Sequence, residues 1–449
     1  MNSAQFLLDG FLKKKNETAV FWHGRSYDYE WMHARALHWQ GVLEKEKIHP
    51  GTAVIFEAEF SPNASALLLA LVNTSCIIVP LTKAVGDKKS EFIEIARGEI
   101  LLTLDHEDNL SIEVLGPARS NPIYETLRSL GHPGLVLFSS GSTGKSKAAV
   151  HDFVPMLEKF KAPRHAYRTI AFLLFDHIGG VNTLLYTLSN GGTLILCDER
   201  SPDHVLGAVE EFGAELLPTS PTFINLILLS EAYRRHDIRS LKLVTYGTEA
   251  MPEGTLKRFH KLFPDIQLAQ TYGLSEVGIL RAKSKSSDSL WVKIGGEGFE
   301  TRVVDGTLQI KAKSAMLGYL NAPSPFTADG WFMTGDSVEV DGEYFKILGR
   351  KSELINVGGE KVYPSEVESV IQEFENIAEV SVYGEKNPLV GNIVCAKVRL
   401  KEGEGSLEFV SRLRRFCREH MQPYKVPVKI AFTKESQFNE RFKKIRQLQ

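Results

Sequence analysis

FSSGSTGKSKAAVHDF (138–153) runs from an apolar end through six small or hydroxylated residues to lysines at 145 and 147, and the kind of phosphate loop it forms decides the fold. Its letters G-K-S at 144–146 are those of a Walker A loop, G-x-x-x-x-G-K-[ST], but the position five before Gly144 is Ser139. That missing glycine is the one that lets backbone N–H groups wrap a β-phosphate. No apolar strand ending in a magnesium-ligating Asp accompanies the loop either, which argues against a Walker-type ATPase. A stretch of this composition still offers hydroxyls, open amides and lysine charge to an anion. The alternative is a plain Ser/Gly connector, and the loop alone does not separate the two.

Working outward, 449 residues with 43% apolar content exceed one comfortable core and suit two or three domains. Lys plus Arg number 53 against 55 for Asp plus Glu, so no chain-wide basic field attracts nucleic acid or anionic lipid. Small molecules or proteins are the expected partners. Cys76, Cys197, Cys395 and Cys417 lack C-x-x-C spacing, which suggests neither zinc nor a disulfide framework and fits a reducing cytosol. In MNSAQFLLDGFLKKKNE the lysines follow the apolar part, the wrong order for a secretory signal, and the longest apolar run, 64–72, is too short for a membrane helix. A cytoplasmic protein without a membrane span is expected.

Met32, Ala36, Trp39 and Leu43 mark one helical face, AVIF (53–56) a strand, 64–72 a helix and CIIVP another strand. The alternation continues through LVLF, TIAFLLF (169–175), TLILC (193–197), AELLPT (214–219) and LKLVTYG (241–247), predicting parallel α/β sheets covered on both faces. From about Gly295 short strands with D-G turns, as in FETRVVDGTLQIKA and VEVDGEYFKI, predict an antiparallel region. A boundary is placed at 350–352, followed by a small α+β unit.

The order SSGSTGKSK, YGTEAMP, QTYGLSE, GYLN, GWFMTGD, LGRKSELINVGGEKVYPSEVE and a C-terminal KKIR resembles the adenylate-forming (AMP-binding) superfamily, most of all its acyl- and aryl-CoA ligases. The resemblance covers nearly the whole chain. It implies an α/β protein with a large N-terminal domain (1–350) of two α/β subdomains plus a distorted β-barrel, then a small mobile lid (351–449). It also implies an enzyme that joins a carboxylate to the α-phosphate of ATP, releasing pyrophosphate, and then passes the acyl group to coenzyme A or a carrier-protein phosphopantetheine.

Carried over position by position, the resemblance puts Ser139, Ser140, Gly141, Ser142, Thr143, Gly144 and Lys147 at the β- and γ-phosphates, with Ser146, Lys147 and Ala148 where relatives have Pro, Lys and Gly. Glu276, with Thr143, would serve Mg²⁺, which takes oxygen ligands and is shared with substrate phosphates. Ser275 stands where threonine is usual. Tyr272 would lie on the adenine, with Thr248, Glu249, Gln270, Thr271 and Gly273 around it and Thr248 replacing a glycine. Asp336 and Arg350 would hold the ribose. The lysine that meets charge on the α-phosphate is expected at Lys444, with Lys443 as the alternative because the glycine that should precede it is absent. Ser352 stands at the hinge, and VGGEKV (357–362), including Lys361, would line the thiol channel.

LLFDHIGG (173–180) resembles the motif that puts a histidine, here His177, at the mouth of the acyl pocket. Asp176 complicates this, because amino-acid-activating relatives use an Asp nearby to hold an ammonium. A fatty or aryl acid is favoured over an amino acid. A non-catalytic nucleotide- or acyl-binding homologue stays open as a separate class.

Overall fold

In the computed structural model the described residues are 3–140, 146–403, 405–439 and 441–445. Gly141, Ser142, Thr143 and Gly144, expected at the phosphates, lie outside them, as does the side chain of Ser140. The chain on either side of that loop is informative. Strand Gly134–Ser140 is followed by strand Ser146–Asp152, paired antiparallel with Ser139 opposite Lys147. A Walker A loop leads from strand into helix and lays phosphate on the helix N-terminus. Here the loop closes a hairpin, so the topology excludes a P-loop.

That hairpin belongs to a seven-stranded sheet whose centre is parallel: Gly134–Ser140, Ile77–Leu81, Ala53–Glu57 and Ile100–Leu104 lie side by side. Antiparallel strands close its edges, with Gly318–Tyr319 pairing Ser146–Asp152 on one side. Helix Pro62–Asn73, buried at all but one of its residues' positions, packs between this sheet and helix Tyr29–Lys45, whose buried face is Tyr29, Met32, Ala36, Trp39 and Leu43.

A second seven-stranded sheet carries Gln267–Gln270, Leu243–Tyr246, Leu216–Thr219, Arg168–Ile170 and Thr193–Ile195 in parallel. The expected strand at 169–175 is shorter than its apolar run: after Ile170 the chain leaves the sheet and enters helix Ile178–Ser189. Packing explains the departure. A Cβ on Gly180 would lie 1.9 Å from the Leu174 carbonyl oxygen, so the first helical turn folds back against 173–174 only because Gly180 has no side chain.

Six antiparallel strands between 282 and 350 form an open sheet, the barrel-like part of the N-terminal domain. Its turn at Asp305 (φ 49°) and Gly306 (φ 69°) has the left-handed pair that matches hairpin twist. The C-terminal domain packs helices Pro364–Glu373 and Leu407–His420 on the strands Ile377–Asn387 and Gly391–Leu400, around Val367, Ile371, Val380, Val398, Leu413 and Cys417. Among the described residues no helix is long and apolar enough to cross a membrane. The four cysteines are free thiols.

Candidate active site

The hairpin 134–152, the loop after strand Gln267–Gln270 and the strand Gly318–Tyr319 converge on Glu276. Its Oε1 accepts a hydrogen bond from the Tyr319 hydroxyl at 2.7 Å and one from Ser139 Oγ at 3.4 Å. Among the described residues Oε2 accepts none. Lys147, cross-strand from Ser139, sets its ammonium 5.4 Å from the Tyr319 ring centre. The loop carrying Glu276 is pinned from below by buried His151, whose ring nitrogens meet the carbonyl oxygens of Ser275 at 2.5 Å and Ser314 at 3.2 Å. Asn321 ties the return strand in place, accepting from Ala148 N and donating to the Ser146 carbonyl. One carboxylate oxygen is thus held by two hydroxyls while the other meets no donor among the described residues, and a carboxylate oxygen is the kind of donor that a hard cation takes.

Asp336 and Arg350 are cross-strand partners, and Arg350 Nε lies 2.8 Å from Asp336 Oδ1. Tyr272 donates its hydroxyl to Oδ2 at 2.5 Å, and Arg350 also bonds the Thr334 carbonyl at 2.8 Å. Burial raises the Asp336 carboxyl, while Arg350 and the Tyr272 hydroxyl oppose that rise. Burial and the Asp336 charge push the Tyr272 phenol well up, so it stays a donor. The carboxylate is held in one orientation with lone pairs remaining for two neighbouring hydroxyls.

Strands Leu216–Thr219, Leu243–Tyr246 and Gln267–Gln270 end together, with Thr219, Tyr246 and Gln270 in register on one face. Each carries a buried side-chain polar atom without a hydrogen-bond partner among the described residues: Thr219 Oγ1, Tyr246 OH and Gln270 Oε1. Orphaned polar atoms at the carboxyl ends of parallel strands are where an open α/β sheet takes its ligand. Thr271 is fastened beside them through its N–H and hydroxyl to the Tyr246 carbonyl. A Cβ on Gly273 would meet Ile279 at 2.5 Å, so only glycine fits there. Thr248 sits at φ 75°, a left-handed conformation that costs a β-branched residue on the order of 1 kcal/mol or more. The Glu249 side chain turns away from this row: Oε1 accepts from Thr222 N at 2.9 Å, and Oε2 from Lys444 N at 3.1 Å.

That last bond belongs to a C-terminal hairpin. Phe438 pairs with Lys444, and Asn439 Oδ1 accepts the N–H groups of both Arg441 and Lys443. The two candidate lysines point opposite ways. Lys444 Nζ makes a 3.0 Å ion pair with Glu368, a carboxylate 1% exposed in the C-terminal domain. Lys443 instead lines a cleft of about 290 Å³ with Phe172, His177, Arg200, Thr248 and Arg441. Burial and the nearby Arg441 lower its ammonium to about 8, and Glu249 and Glu276 pull the other way. The residue before it, Phe442, has φ 52°, the conformation a glycine adopts most readily. The glycine missed in the sequence therefore has its backbone counterpart before Lys443. A larger cleft of about 440 Å³ lies between the domains at Glu249, Gln372 and Lys444, but it contains neither His177 nor Lys443.

His177 caps helix Ile178–Ser189, its Nδ1 accepting Gly179 N–H at 3.1 Å. Burial, Lys443 and Arg441 hold it well below the usual histidine range, so the ring is neutral with its proton on Nε2. Asp176 is paired with Arg441 at 2.6 Å.

A site of this make-up has counterparts. The sequence profile of the AMP-binding enzymes matches residues 11–320, and that of the AMP-binding enzyme C-terminal domain matches 366–443. The chain belongs to the AMP-binding enzyme family.

Within that family it is 28% identical over 333 residues to the indoleacetate–CoA ligase of Aromatoleum aromaticum, covering 68% of this chain but only 64% of that relative. To the feruloyl-CoA synthase of an Amycolatopsis species it is 25% identical over 457 residues, covering 93% of this chain and 92% of the relative. Its fold is similar to that of the anthranilate CoA ligase AuaEII in complex with anthranoyl-AMP (TM-score 0.82, 20% identity, 97% and 94% of the two chains). It is also similar to the o-succinylbenzoate CoA synthetase of Bacillus subtilis in complex with its acyl-adenylate (0.78, 19%, 98% and 96%).

Of the positions expected from sequence, Ser139, Lys147, Glu276, Tyr272, Asp336 and Arg350 gather in this AMP-binding enzyme around two carboxylates. Lys361 lies exposed on strand Glu360–Val362 and takes part in none of these contacts. Tyr319, His151, Asn321 and Arg441 were not foreseen in these roles. Tyr319 and Asn321 stand in the GYLN motif, a usable signal, whereas nothing local to His151 or Arg441 reveals what they meet.

Proposed function

We propose that this chain activates a carboxylic acid with ATP and transfers the acyl group to the thiol of coenzyme A. The observation that carries the reading is the cleft that joins a neutral His177 to the Lys443 ammonium, with Arg350 of the Asp336–Arg350 pair and the carboxylates of Glu249 and Glu276 near enough to act on that ammonium. In the first step an acid oxygen bonds to the α-phosphorus as the bond to the β-phosphate bridge oxygen breaks, and pyrophosphate leaves. Lys443, rather than Lys444, would meet the charge that grows on the α-phosphate oxygens, a contribution that such fixed cations make best in a site shielded from water. Asp336 and Arg350 would orient the ribose, and Gln270 and Tyr272 would border the adenine. Glu276, held by Tyr319, would be the ligand of a Mg²⁺ ion, which when bound offsets triphosphate charge. Thr143 and the hydroxyls of the 139–144 loop would complete the phosphate contacts.

In the second step the thiol sulfur attacks the acyl carbon, the acyl–phosphate bond breaks and AMP departs. Rotation about Ser352, in the short turn Lys351–Glu353 that follows Arg350, would carry the hairpin away and bring the 357–362 loop with Lys361 toward the thiol.

A fatty or aryl acid fits the pocket's chemistry. Phe172, Leu173 and Leu174 line the cleft beside His177, and the Asp176 carboxylate that could have held a substrate ammonium is engaged by Arg441. A carrier protein's phosphopantetheine presents the same thiol as coenzyme A. Mass detection of the thioester, with a panel of acids and either coenzyme A or a phosphopantetheinylated carrier, tests the assignment and separates the acceptors. Acyl-adenylate that accumulates and passes to neither thiol contradicts the second step.

A further inference from the structure

We propose that Asp176 is a positioning residue for adenylation: by holding Arg441 it fixes the C-terminal hairpin so that Lys443 faces the α-phosphate site. The inference rests on the proposed adenylation chemistry and adds a control over it. Asp176 Oδ2 and Arg441 Nη2 are 2.6 Å apart across 265 positions of sequence, with side chains only 3% and 26% exposed. Arg441 and Lys443 are linked through the single Asn439 carboxamide oxygen that accepts both their N–H groups, so fixing one fixes the other.

The platform is rigid on the opposite side. Asp176 precedes the cap of helix Ile178–Ser189, whose first turn is locked against Leu174. Around the carboxylate stand Thr82, Glu59 and Arg200, and the Arg200 guanidinium also lies 5.6 Å from the Phe442 ring centre. Withdrawing the hairpin removes Arg441 and leaves a buried carboxylate without its nearest cation, which disfavours the withdrawn arrangement. Phe442 adds apolar contact with Phe172 and Phe223, and its carbonyl accepts from Ser220 Oγ at 3.0 Å. These contacts, with Lys444 N on Glu249 and its ammonium on Glu368, hold the hairpin near its place, and the ion pair adds a restraint that reaches Lys443 through Arg441 and Asn439.

The test compares Asp176→Asn, Arg441→Gln, the double variant and Arg441→Lys in the two half-reactions: acid-dependent ATP–pyrophosphate exchange, and thioester formation from prepared acyl-adenylate. Each single variant should lose roughly 10- to 100-fold in exchange, the double no more than either single, and Arg441→Lys least. Thioester formation should be unchanged or faster. Equal losses in both half-reactions, or a double variant that loses the product of the two single effects, overturns the proposal. A wild-type chain without acid-dependent exchange would defeat the adenylation reading instead. The latch is then judged by the distance distribution between labels at Leu37→Cys and Leu389→Cys, 46% and 90% exposed in the native chain, in a Cys197→Ala background. Asp176→Asn should broaden or shift that distribution, and an identical one overturns the proposal.

Discussion

Removing the ammonium of Lys443 and removing that of Lys444 should damage different properties of the enzyme. Lys443 lines the cleft with His177 and Thr248. A cation about 4 Å from a developing charge is worth about 4 kcal/mol at an effective dielectric constant of ~20. Each ~1.4 kcal/mol is tenfold in rate, so Lys443→Ala should slow adenylation on the order of 10³-fold. It should not destabilise the fold, because burial already disfavours this charge. The folded-state value of about 8 lies below the ordinary lysine value of about 10.4. The cost of holding that charge is fully present below pH 8 and is relieved as pH rises past it.

Lys444→Ala does the reverse. It takes away the ammonium that lies 3.0 Å from the Glu368 carboxylate, which is 1% exposed and also accepts from Val382 N. Breaking a buried pair costs roughly 3 kcal/mol, which should lower melting of the C-terminal domain by roughly 10 °C or more. Pyrophosphate exchange, thioester formation from acyl-adenylate and thermal melting of both variants check this. A Lys444→Ala enzyme that melts like wild type yet loses adenylation alone, beside an active Lys443→Ala enzyme, would refute the reasoning.

In the proposed mechanism the ammonium is the active form of Lys443, so kcat/KM for adenylation should fall as pH rises through about 8. The limb in kcat should lie higher, since bound triphosphate favours the charged form, and the thioester step should lack it. Tyr319→Phe removes one hydrogen bond to Glu276, worth about 1 kcal/mol, and should raise the Mg²⁺ concentration needed for half-maximal adenylation roughly fivefold with melting unchanged. Thr248→Gly relieves a β-branched residue at φ 75°; calorimetry should show melting no lower than wild type, although the side chain is lost.

The sequence carried the layers well because their signals are local. Met32, Ala36, Trp39 and Leu43 mark a helical face on their own, and VVDGT names its own turn. The strand expected at 169–175 failed for a non-local reason: its apolar run continues past Ile170, and only the contact between Gly180 and the Leu174 carbonyl shows where the chain turns out of the sheet. The site divided likewise. Glu276, Tyr272 and Asp336 sit in motifs dense enough to recognise, whereas a KK pair offers two registers with nearly the same letters. What separates them is three-dimensional: the left-handed backbone at Phe442 and the carboxylate of Glu368, 76 residues away. Arg441 could not be paired with Asp176 from sequence, because neither position carries a spacing that refers to the other.

The most direct measurement is carboxylate-dependent release of pyrophosphate from ATP across a panel of fatty, aryl and amino acids, with and without coenzyme A. Pyrophosphate and AMP are the expected products, dependent on a fatty or aryl acid, formed on the order of 10³-fold more slowly by Lys443→Ala and carried through to thioester when coenzyme A is present. ATP binding without turnover for any acid, or phosphate released in place of pyrophosphate, would contradict it.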